Sequence, residues 1–207
     1  MKDMKLKVNE IFYSLQGEGA QTGKPVIFVR LSGCNLKCSF CDTKHEEGSE
    51  MTLDTILTKV KEQSTVCNYI IFTGGEPLLQ LNEGILQFFV DSGYFIGLES
   101  NGTIPISHNM RNLIHHITIS PKKVDKMLKV NFKDVYINEI RIPLRNGQRI
   151  TEERLDLLPH AEKYYISPIF EVSTENTVQN IHWCLSYSLQ NPIWNLSVQL
   201  HKILMFD

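Results

Sequence analysis

The chain has 207 residues, of which 42% are hydrophobic and 21% are charged, and its formal net charge at pH 7 is −2. This composition supplies the core of a compact α/β domain and excludes a largely disordered chain. The small net charge argues against a nucleic-acid partner, and no apolar run reaches the length of a signal peptide core or a membrane helix. We therefore expect one domain over residues 1–207, located in the cytoplasm, with its five cysteines reduced.

Short apolar runs alternate with helical patterns along the chain. Seven runs are rich in β-branched or aromatic residues and end at turn residues, as strands do. They cover residues 26–31, 69–73, 94–100, 116–120, 135–142, 163–167 and 195–200. Helices with an apolar face are predicted over residues 53–63, 83–93 and 174–190. The alternation favours a mostly parallel sheet, in either a partial barrel or a doubly wound fold, and ligands gather at the carboxyl ends of the strands in both.

Three cysteines follow the first predicted strand of this series. Cys34, Cys38 and Cys41 have the spacing C-x3-C-x2-C. A structural zinc site needs four ligands and usually takes them as two separate pairs, but only His45 is available as a fourth ligand here. A [4Fe–4S] cluster is normally held by four thiolates, so three would leave one iron open to another ligand. The pattern favours such a cluster, with a zinc or non-enzymatic iron–sulfur module as the alternative.

The cysteine spacing resembles that of the radical S-adenosylmethionine superfamily. Phe40 stands between the second and third cysteines, and 73-TGGEP-77 closes the next predicted strand. The resemblance implies that S-adenosylmethionine chelates the open iron and is cleaved reductively to a 5′-deoxyadenosyl radical. It also implies a partial TIM-like barrel with a mostly parallel sheet and the cysteine loop after the first barrel strand. Gly74 and Gly75 would let the backbone approach a ligand closely, and Glu76 would accept hydrogen bonds from the cofactor ammonium.

A closer resemblance, which runs nearly from end to end, is to the 7-carboxy-7-deazaguanine synthase family. The motifs that carry it are 10-EIFYSLQGEG-19, 22-TGKPVIFVRLSGC-34, 41-CDTKH-45, 73-TGGEP-77, 99-ESNGT-103, 120-SPK-122 and 196-LSVQLHKILMFD-207. It implies that 6-carboxy-5,6,7,8-tetrahydropterin is converted to 7-carboxy-7-deazaguanine with loss of ammonia, in a 7-deazapurine or queuosine pathway. S-adenosylmethionine would act catalytically, Mg²⁺ would assist, flavodoxin would be the reductant, and the chain would form a homodimer.

The same resemblance assigns roles to individual residues, while the cofactor radical carries the chemistry. The cluster would be held by Cys34, Cys38 and Cys41, and Mg²⁺ by Thr43. Residues expected around the cofactor are Phe40, Cys41, Asp42, Gly74, Gly75, Glu76, Gly102, Ser120, Pro121 and Lys122. Residues expected around the substrate are Leu15, Gln16, Gly17, Arg30, Ser100 and Asp207. The planar fork of Arg30 fits the substrate carboxylate, and the terminal carboxylate of Asp207 would accept hydrogen bonds from the pyrimidine N–H groups.

The chain also departs from the family pattern. Ser100 stands where Thr is usual, Ser167 where Gln is frequent, and Leu200 where Thr is usual. Cys67 and Cys184 match no motif and are interpreted as core or near-surface residues. A glycyl-radical activating enzyme is a further alternative because it shares the cysteine spacing. Such an enzyme would not need the segment SLQGEG, the CDT site or a carboxylate-binding arginine.

Overall fold

The structure, a computed structural model, describes residues 4–122, 132 and 135–205. Nine strands within these residues form one sheet. The strands are β1 (Lys5–Leu15), β2 (Pro25–Leu31), β3 (Ser49–Thr52), β4 (Tyr69–Gly74), β5 (Phe95–Ser100), β6 (His116–Ile119), β7 (Ile137–Leu144), β8 (Ala161–Pro168) and β9 (Trp194–Leu196). Their order in the sheet is β3-β1-β2-β4-β5-β6-β7-β8-β9.

Helices lie between most of the parallel strands. They are α1 (Leu53–Gln63), α2 (Glu83–Asp91), α3 (His108–Leu113), α4 (Glu152–Leu155), α5 (Thr174–Gln190) and α6 (Leu200–Leu204). The side chains of Thr52, Asn82, Ser107 and Ser173 accept a backbone N–H in the first turns of α1, α2, α3 and α5, respectively. Such caps satisfy donors that a helix cannot satisfy within itself, and they fix where each helix begins.

The strand order decides between the two predicted architectures. From β2 to β9 every neighbouring pair is parallel, and the order along the sheet follows the order along the chain. A doubly wound sheet would reverse its order at a switch point, whereas sequential parallel strands are typical of a barrel. The expected partial barrel is confirmed, and the cysteine loop follows β2, its first parallel strand.

Three features of the sheet differ from the prediction. β1 and β3 were not predicted as strands, and the strand predicted over 195–200 ends at Leu196. The apolar alternation of β1 is broken because its pairing with β2 shifts register between Val8 and Glu10. β9 is short because it pairs with β8 over three residues only, after which the chain turns into α6. The antiparallel strands β1 and β3 extend the sheet beyond β2.

The outer face of the sheet is covered by helices, and its inner face carries the polar residues of the site. Phe72 of β4 packs edge-on against Phe89 of α2, with ring centroids 5.3 Å apart. Cys184 of α5 lies fully buried in this core, where burial raises the pKa of its thiol to about 12. Cys67 is half-buried, so both unassigned cysteines lie where they were expected. Among the helices of the described residues, none is long and apolar enough to cross a bilayer.

The His115 imidazole gives the fold a predicted acid dependence. Its Nδ1 accepts the Ile96 backbone N–H at 3.2 Å, so this nitrogen must be unprotonated. Burial, helped by the nearby Arg111, lowers the pKa of His115. The contribution to stability is therefore complete above about pH 6.5, the ordinary histidine pKa, and is lost as pH falls through the lower value of the folded state.

We expect the free energy of unfolding to fall between pH 7.5 and pH 5 less steeply in His115→Asn than in the unmodified protein. An asparagine Oδ1 can accept the same N–H but does not titrate. Urea unfolding at both pH values measures the difference. Equal slopes for the two proteins would show that His115 does not contribute to the acid dependence.

Candidate active site

A cavity of about 410 Å³ opens where the parallel strands end. It brings together residues from the cysteine loop, from the ends of β2, β4, β5 and β8, and from the C-terminal segment. Predicted site residues on its wall are Leu15, Gln16, Gly17, Arg30, Cys34, Cys38, Phe40, Cys41, Asp42, Thr43, Gly74, Gly75, Ser100, Ser120 and Lys122. Glu76, Gly102 and Pro121 do not line the cavity, and Asp207 lies outside the described residues.

The cysteine loop brings the thiols of Cys34, Cys38 and Cys41 to the cavity. The Leu36 backbone N–H points at Cys34 Sγ from 3.4 Å, and Asn101 Nδ2 lies 3.9 Å from the same sulfur. Both groups are donors, so they suit a sulfur that carries negative charge. Phe40 lies between the second and third thiols, and the Arg145 guanidinium stacks over its ring at 5.4 Å.

The two glycines after β4 let one backbone segment pack directly on another. A Cβ at Gly75 would lie 1.9 Å from the Gly33 carbonyl oxygen, and one at Gly74 would lie 2.3 Å from the Leu31 carbonyl oxygen. The Gly75 N–H donates to Leu31 O at 2.9 Å, which fixes this approach. The close approach therefore joins this turn to the cysteine loop, and both glycines still line the cavity.

The Glu76 carboxylate is bound by protein groups and does not line the cavity, and its contact with the cofactor ammonium stays a prediction. Its side chain is fully buried. It accepts hydrogen bonds from the backbone N–H groups of Leu78 and Asn101 and from the Ser100 hydroxyl, at 2.7 to 3.0 Å. Burial raises the pKa of Glu76, and these donors oppose the shift. Its contacts organise the turn after β5 from behind the cavity wall.

Ser100 can act toward a ligand only as an acceptor in this arrangement. Its hydroxyl donates to Glu76 Oε1 at 2.9 Å and accepts the Gly102 N–H at 3.1 Å. A hydroxyl has one proton and two lone pairs, so one lone pair remains for the cavity. Ser100 therefore keeps the hydroxyl of the usual threonine, but this hydroxyl can only accept a hydrogen bond from a ligand.

The C-terminal segment closes one side of the cavity. Gln199 Nε2 donates to Glu18 Oε1 at 2.6 Å, and the Leu200 N–H donates to Gly17 O at 3.1 Å. Lys202 Nζ lies 2.5 Å from Asp42 Oδ2, which ties α6 to the cysteine loop. The segment therefore connects the loop after β1 with the cysteine loop. The sequence predicted a role in the site for Asp207 alone in this segment.

A charge cluster lies at the cavity, where three of its four members line the wall, and the sequence did not predict that these residues meet. It consists of Glu18, Glu99, Glu139 and Arg141, and Arg141 is only 5% exposed. Residues 139 and 141 alternate along β7, so both face the inside of the barrel. Two charges at alternate positions of a buried strand were the available signal.

Lys122 and Ser120, both expected around the cofactor, contact each other at the cavity wall. Lys122 Nζ donates to Ser120 Oγ at 2.7 Å, and the Ser120 hydroxyl donates to the Arg141 carbonyl at 2.8 Å. Burial lowers the pKa of Lys122, and the neighbouring Arg141 adds to this effect. A lysine so placed offers a cavity-facing amine to an anionic group.

Ser167 and His45 bring polar atoms to the cavity wall that lack a protein partner. Ser167 Oγ and His45 Nδ1 are buried and make no hydrogen bond within the described part of the chain. Buried polar atoms without partners are uncommon in folded proteins. Both atoms are therefore available to a bound ligand, and Ser167 keeps a polar atom where longer side chains are frequent.

Comparison with known proteins decides the family. The sequence pattern of the Radical SAM superfamily matches residues 28–178. A 7-carboxy-7-deazaguanine synthase from Bacteroides thetaiotaomicron is 39% identical over 201 residues, which cover 97% of this chain and 98% of the relative. The chain belongs to the 7-carboxy-7-deazaguanine synthase family.

Further relatives agree with this membership. A 7-carboxy-7-deazaguanine synthase from Haemophilus influenzae is 35% identical over 198 residues, covering 94% of this chain and 91% of the relative. The crystal structure of QueE from Escherichia coli superposes with a TM-score of 0.71, at 24% identity and over 96% of both chains, which supports the fold. The resemblance derived from the motifs is confirmed, and the superfamily implies a [4Fe–4S] cluster and S-adenosylmethionine.

The cysteine loop fits the cluster that the synthase family implies. Three thiols face one cavity, and two donors point at the sulfur of Cys34. Within residues 4–122, 132 and 135–205, no three His, Cys, Asp or Glu side chains converge as ligands of one metal ion. A cluster does not require such convergence, because each thiolate binds a different iron.

Proposed function

We propose that this chain converts 6-carboxy-5,6,7,8-tetrahydropterin to 7-carboxy-7-deazaguanine with loss of ammonia. Membership of the synthase family over nearly the whole chain is the observation that carries the proposal. The cavity supports it, because the three thiols, Arg30 and the carboxylates of Glu18 and Glu99 all line it. We further propose that residues 1–207 form a single radical SAM domain, since all the described strands belong to one sheet.

The cofactor side of the cavity is assigned to the cysteine loop and the strand ends beside it. Cys34, Cys38 and Cys41 would hold the cluster, which supplies the electron that turns S-adenosylmethionine into a radical initiator. Phe40 offers an aromatic face for the adenine, and Lys122 offers a charge for the carboxylate of the methionine moiety. Gly74 and Gly75 line the cavity without a side chain, so they leave room for a ligand beside the backbone. Asp42 fixes the loop through Lys202.

The substrate side is assigned by charge. Arg30 would bind the pterin carboxylate, and Glu18 and Glu99 retain acceptors for the N–H groups of its amino-pyrimidinone ring. Gln16 is 6% exposed, and its amide donates to Glu99. Its side chain would therefore hold the Glu99 carboxylate in place. Leu15 and Gly17 continue the wall, and Ser100 offers its remaining lone pair.

Mg²⁺ and the terminal carboxylate are two further parts of the proposal. Thr43 lies on the cavity wall next to Cys41 and would be the one protein ligand of Mg²⁺, which commonly fills its octahedron with substrate and water. The metal would neutralise the substrate carboxylate during the rearrangement. Asp207 would close the pyrimidine edge, since α6 already borders the cavity five residues earlier.

We also propose flavodoxin as the reductant, homodimerisation, and no nucleic-acid or membrane partner. Reduced thiols and a reductively loaded cluster both suit the cytoplasm, where structural disulfides are rare.

The test is anaerobic turnover of the reconstituted enzyme with reductant, Mg²⁺, S-adenosylmethionine and the tetrahydropterin, followed by mass spectrometry. The expected result is 7-carboxy-7-deazaguanine over many turnovers without matching loss of S-adenosylmethionine, and a lower rate when Mg²⁺ is withheld or Thr43 is replaced by alanine. Cleavage of S-adenosylmethionine without formation of this product would refute the assignment of the tetrahydropterin as the substrate.

Arg30 provides a sharper prediction on the substrate side. Replacement by glutamine removes a charge-assisted pair with the pterin carboxylate, which is worth about 1.5–3 kcal/mol, so we expect KM to rise about 10–100-fold. The Kd for S-adenosylmethionine should not change. Steady-state kinetics and equilibrium binding measure the two quantities.

Glu10→Gln is the matched control, because Glu10 Oε1 lies 3.2 Å from Arg30 Nη1 at the exposed edge of the site. Exposed pairs of this kind contribute little, so KM should remain near the unmodified value. A similar rise of KM in both variants would mean that the ion pair, not the substrate carboxylate, explains the effect.

A further inference from the structure

We propose that Arg141 is a positioning residue that holds the carboxylates of Glu18 and Glu99 at the cavity wall, ready to accept N–H groups of the pterin ring. The inference rests on the proposed function. No motif in the sequence includes Arg141, and its guanidinium has no role in the assignments above.

One guanidinium joins three carboxylates from three separate segments. Arg141 Nε lies 3.0 Å from Glu18 Oε2, in the loop after β1. Its Nη2 lies 2.8 Å from Glu99 Oε1, at the end of β5. Its Nη1 lies 3.4 Å from Glu139 Oε1, on the same strand as Arg141. The planar fork is suited to this arrangement, because its donors point in fixed and different directions.

The other oxygens of these carboxylates extend the network to the surrounding backbone. Glu139 Oε2 accepts the Ala20 N–H at 2.8 Å and holds the turn after β1 against the barrel. Glu18 Oε1 accepts Gln199 Nε2 at 2.6 Å, and Glu99 Oε2 accepts Thr73 Oγ1 at 3.0 Å. Arg141 therefore links the loop after β1, which carries Glu18, to β5, and through Glu18 it also links to Gln199 of the C-terminal segment.

Glu18 and Glu99 line the cavity, whereas Glu139 does not. Each carboxylate has about four acceptor positions, and the contacts above leave some of them free on Glu18 and Glu99. Glu99 acts only as an acceptor when it is ionised. A carboxylate removed from water, without a nearby cation, would instead become protonated, so the charge of Arg141 matters for Glu99 as well as its shape.

The electrostatic surroundings of Glu99 are consistent with this role. Burial alone would raise the pKa of Glu99, but the Arg141 guanidinium and the donors around the carboxylate hold the pKa below its ordinary value. The titratable or charged groups that face this network from the packed elements are Glu18, Tyr69, His116, Lys122, Glu139, Tyr165 and His201. Of these groups, Lys122 alone is a lysine or arginine, so the pKa of Glu99 should rise when Arg141 is removed.

The experiment measures binding of 6-carboxypterin, the oxidised form of the substrate, to the reconstituted holoenzyme with S-adenosylmethionine. Calorimetric titrations between pH 5.5 and pH 8.5 compare Arg141→Gln, Arg141→Lys and the unmodified enzyme. Arg111→Gln is the control, because this arginine donates to the backbone carbonyls of Ile114 and Tyr136 rather than to carboxylates and does not line the cavity.

We expect Arg141→Gln to raise Kd about 10–100-fold, as loss of charge-assisted contacts does, and to move the acid limb of binding up by about one pH unit. Arg141→Lys should restore part of the affinity and most of the acid limb, because it keeps the charge but not the fork. Arg111→Gln should leave both quantities unchanged. KM should rise more than kcat falls, since the radical chemistry lies elsewhere.

An unchanged Kd and acid limb in folded Arg141→Gln would overturn the inference, and so would equal weakening in Arg111→Gln. If Arg141→Gln does not fold, Glu99→Gln decides. A higher Kd for Glu99→Gln, with no loss of binding at acidic pH, supports the inference. A Kd equal to that of the unmodified enzyme overturns it. Turnover by the unmodified enzyme separates the two proposals, because its failure would refute the proposed function and the inference with it.

Discussion

Replacing Cys38 with alanine is expected to abolish cluster binding and product formation together. Two thiolates remain in Cys38→Ala, at Cys34 and Cys41, and a cluster that already has one iron without a protein ligand loses a second attachment. Iron content and visible absorbance after reconstitution should fall to the level of an untreated protein. Reductive cleavage of S-adenosylmethionine should fall to background.

Cys67→Ala is the matched control for this result. Cys67 is a half-buried thiol outside the cavity, and its Sγ lies 3.5 Å from Pro25 O and 3.6 Å from Tyr69 O. Its loss should leave iron content and turnover intact. Full iron content and absorbance in Cys38→Ala would contradict the assignment of the cysteine loop.

Replacing Gly75 with alanine should destabilise the fold by about 3 kcal/mol, at the upper end of the usual range for one substitution. The added Cβ would lie 1.9 Å from the Gly33 carbonyl oxygen, so one backbone segment must move. Movement would also break the hydrogen bonds from Gly75 N to Leu31 O and from Glu76 N to Gly33 O. Urea unfolding of the cluster-free protein measures the loss.

Gly84→Ala is the control for Gly75→Ala, because at Gly84 the added Cβ has room. A Cβ at Gly84, in the first turn of α2, would meet its nearest neighbour at 3.5 Å, which is ordinary contact. Alanine is the better helix former, so we expect stability to be unchanged or to increase by up to about 1 kcal/mol. A Gly75→Ala variant as stable as Gly84→Ala would show that the turn after β4 is free to shift.

The cysteine loop and its neighbours could be predicted because their signals are local. The spacing of Cys34, Cys38 and Cys41 lies within eight residues, and each further motif follows a recognisable strand. Because parallel strands end at one edge of the sheet, these motifs had to meet there. The residue roles themselves stay predictions, but most of the side chains lie on one cavity wall.

The charge cluster could not be predicted because its contacts are long-range. Arg141 meets Glu99 across 42 residues and Glu18 across 123, and nothing in the sequence of β7 names these partners. The protein partners of Glu76 were hidden for the same reason. The sequence of the glycine turn does not show that Glu76 accepts the distant Asn101 N–H as well as the nearby Leu78 N–H. Its contact with the cofactor stays a prediction.

The contact between Gln199 and Glu18 spans 181 residues, so the wall of the cavity closes only when distant parts of the chain meet. Contacts between residues so far apart in sequence form late, because the entropy of closing the intervening loop must be overcome first. During synthesis, the strands that carry the cysteine loop leave the ribosome long before residue 199 does. A chain cleaved ahead of that residue would keep those strands but lose the contact of Gln199 with Glu18 and the part of the cavity wall that residues 199–202 form.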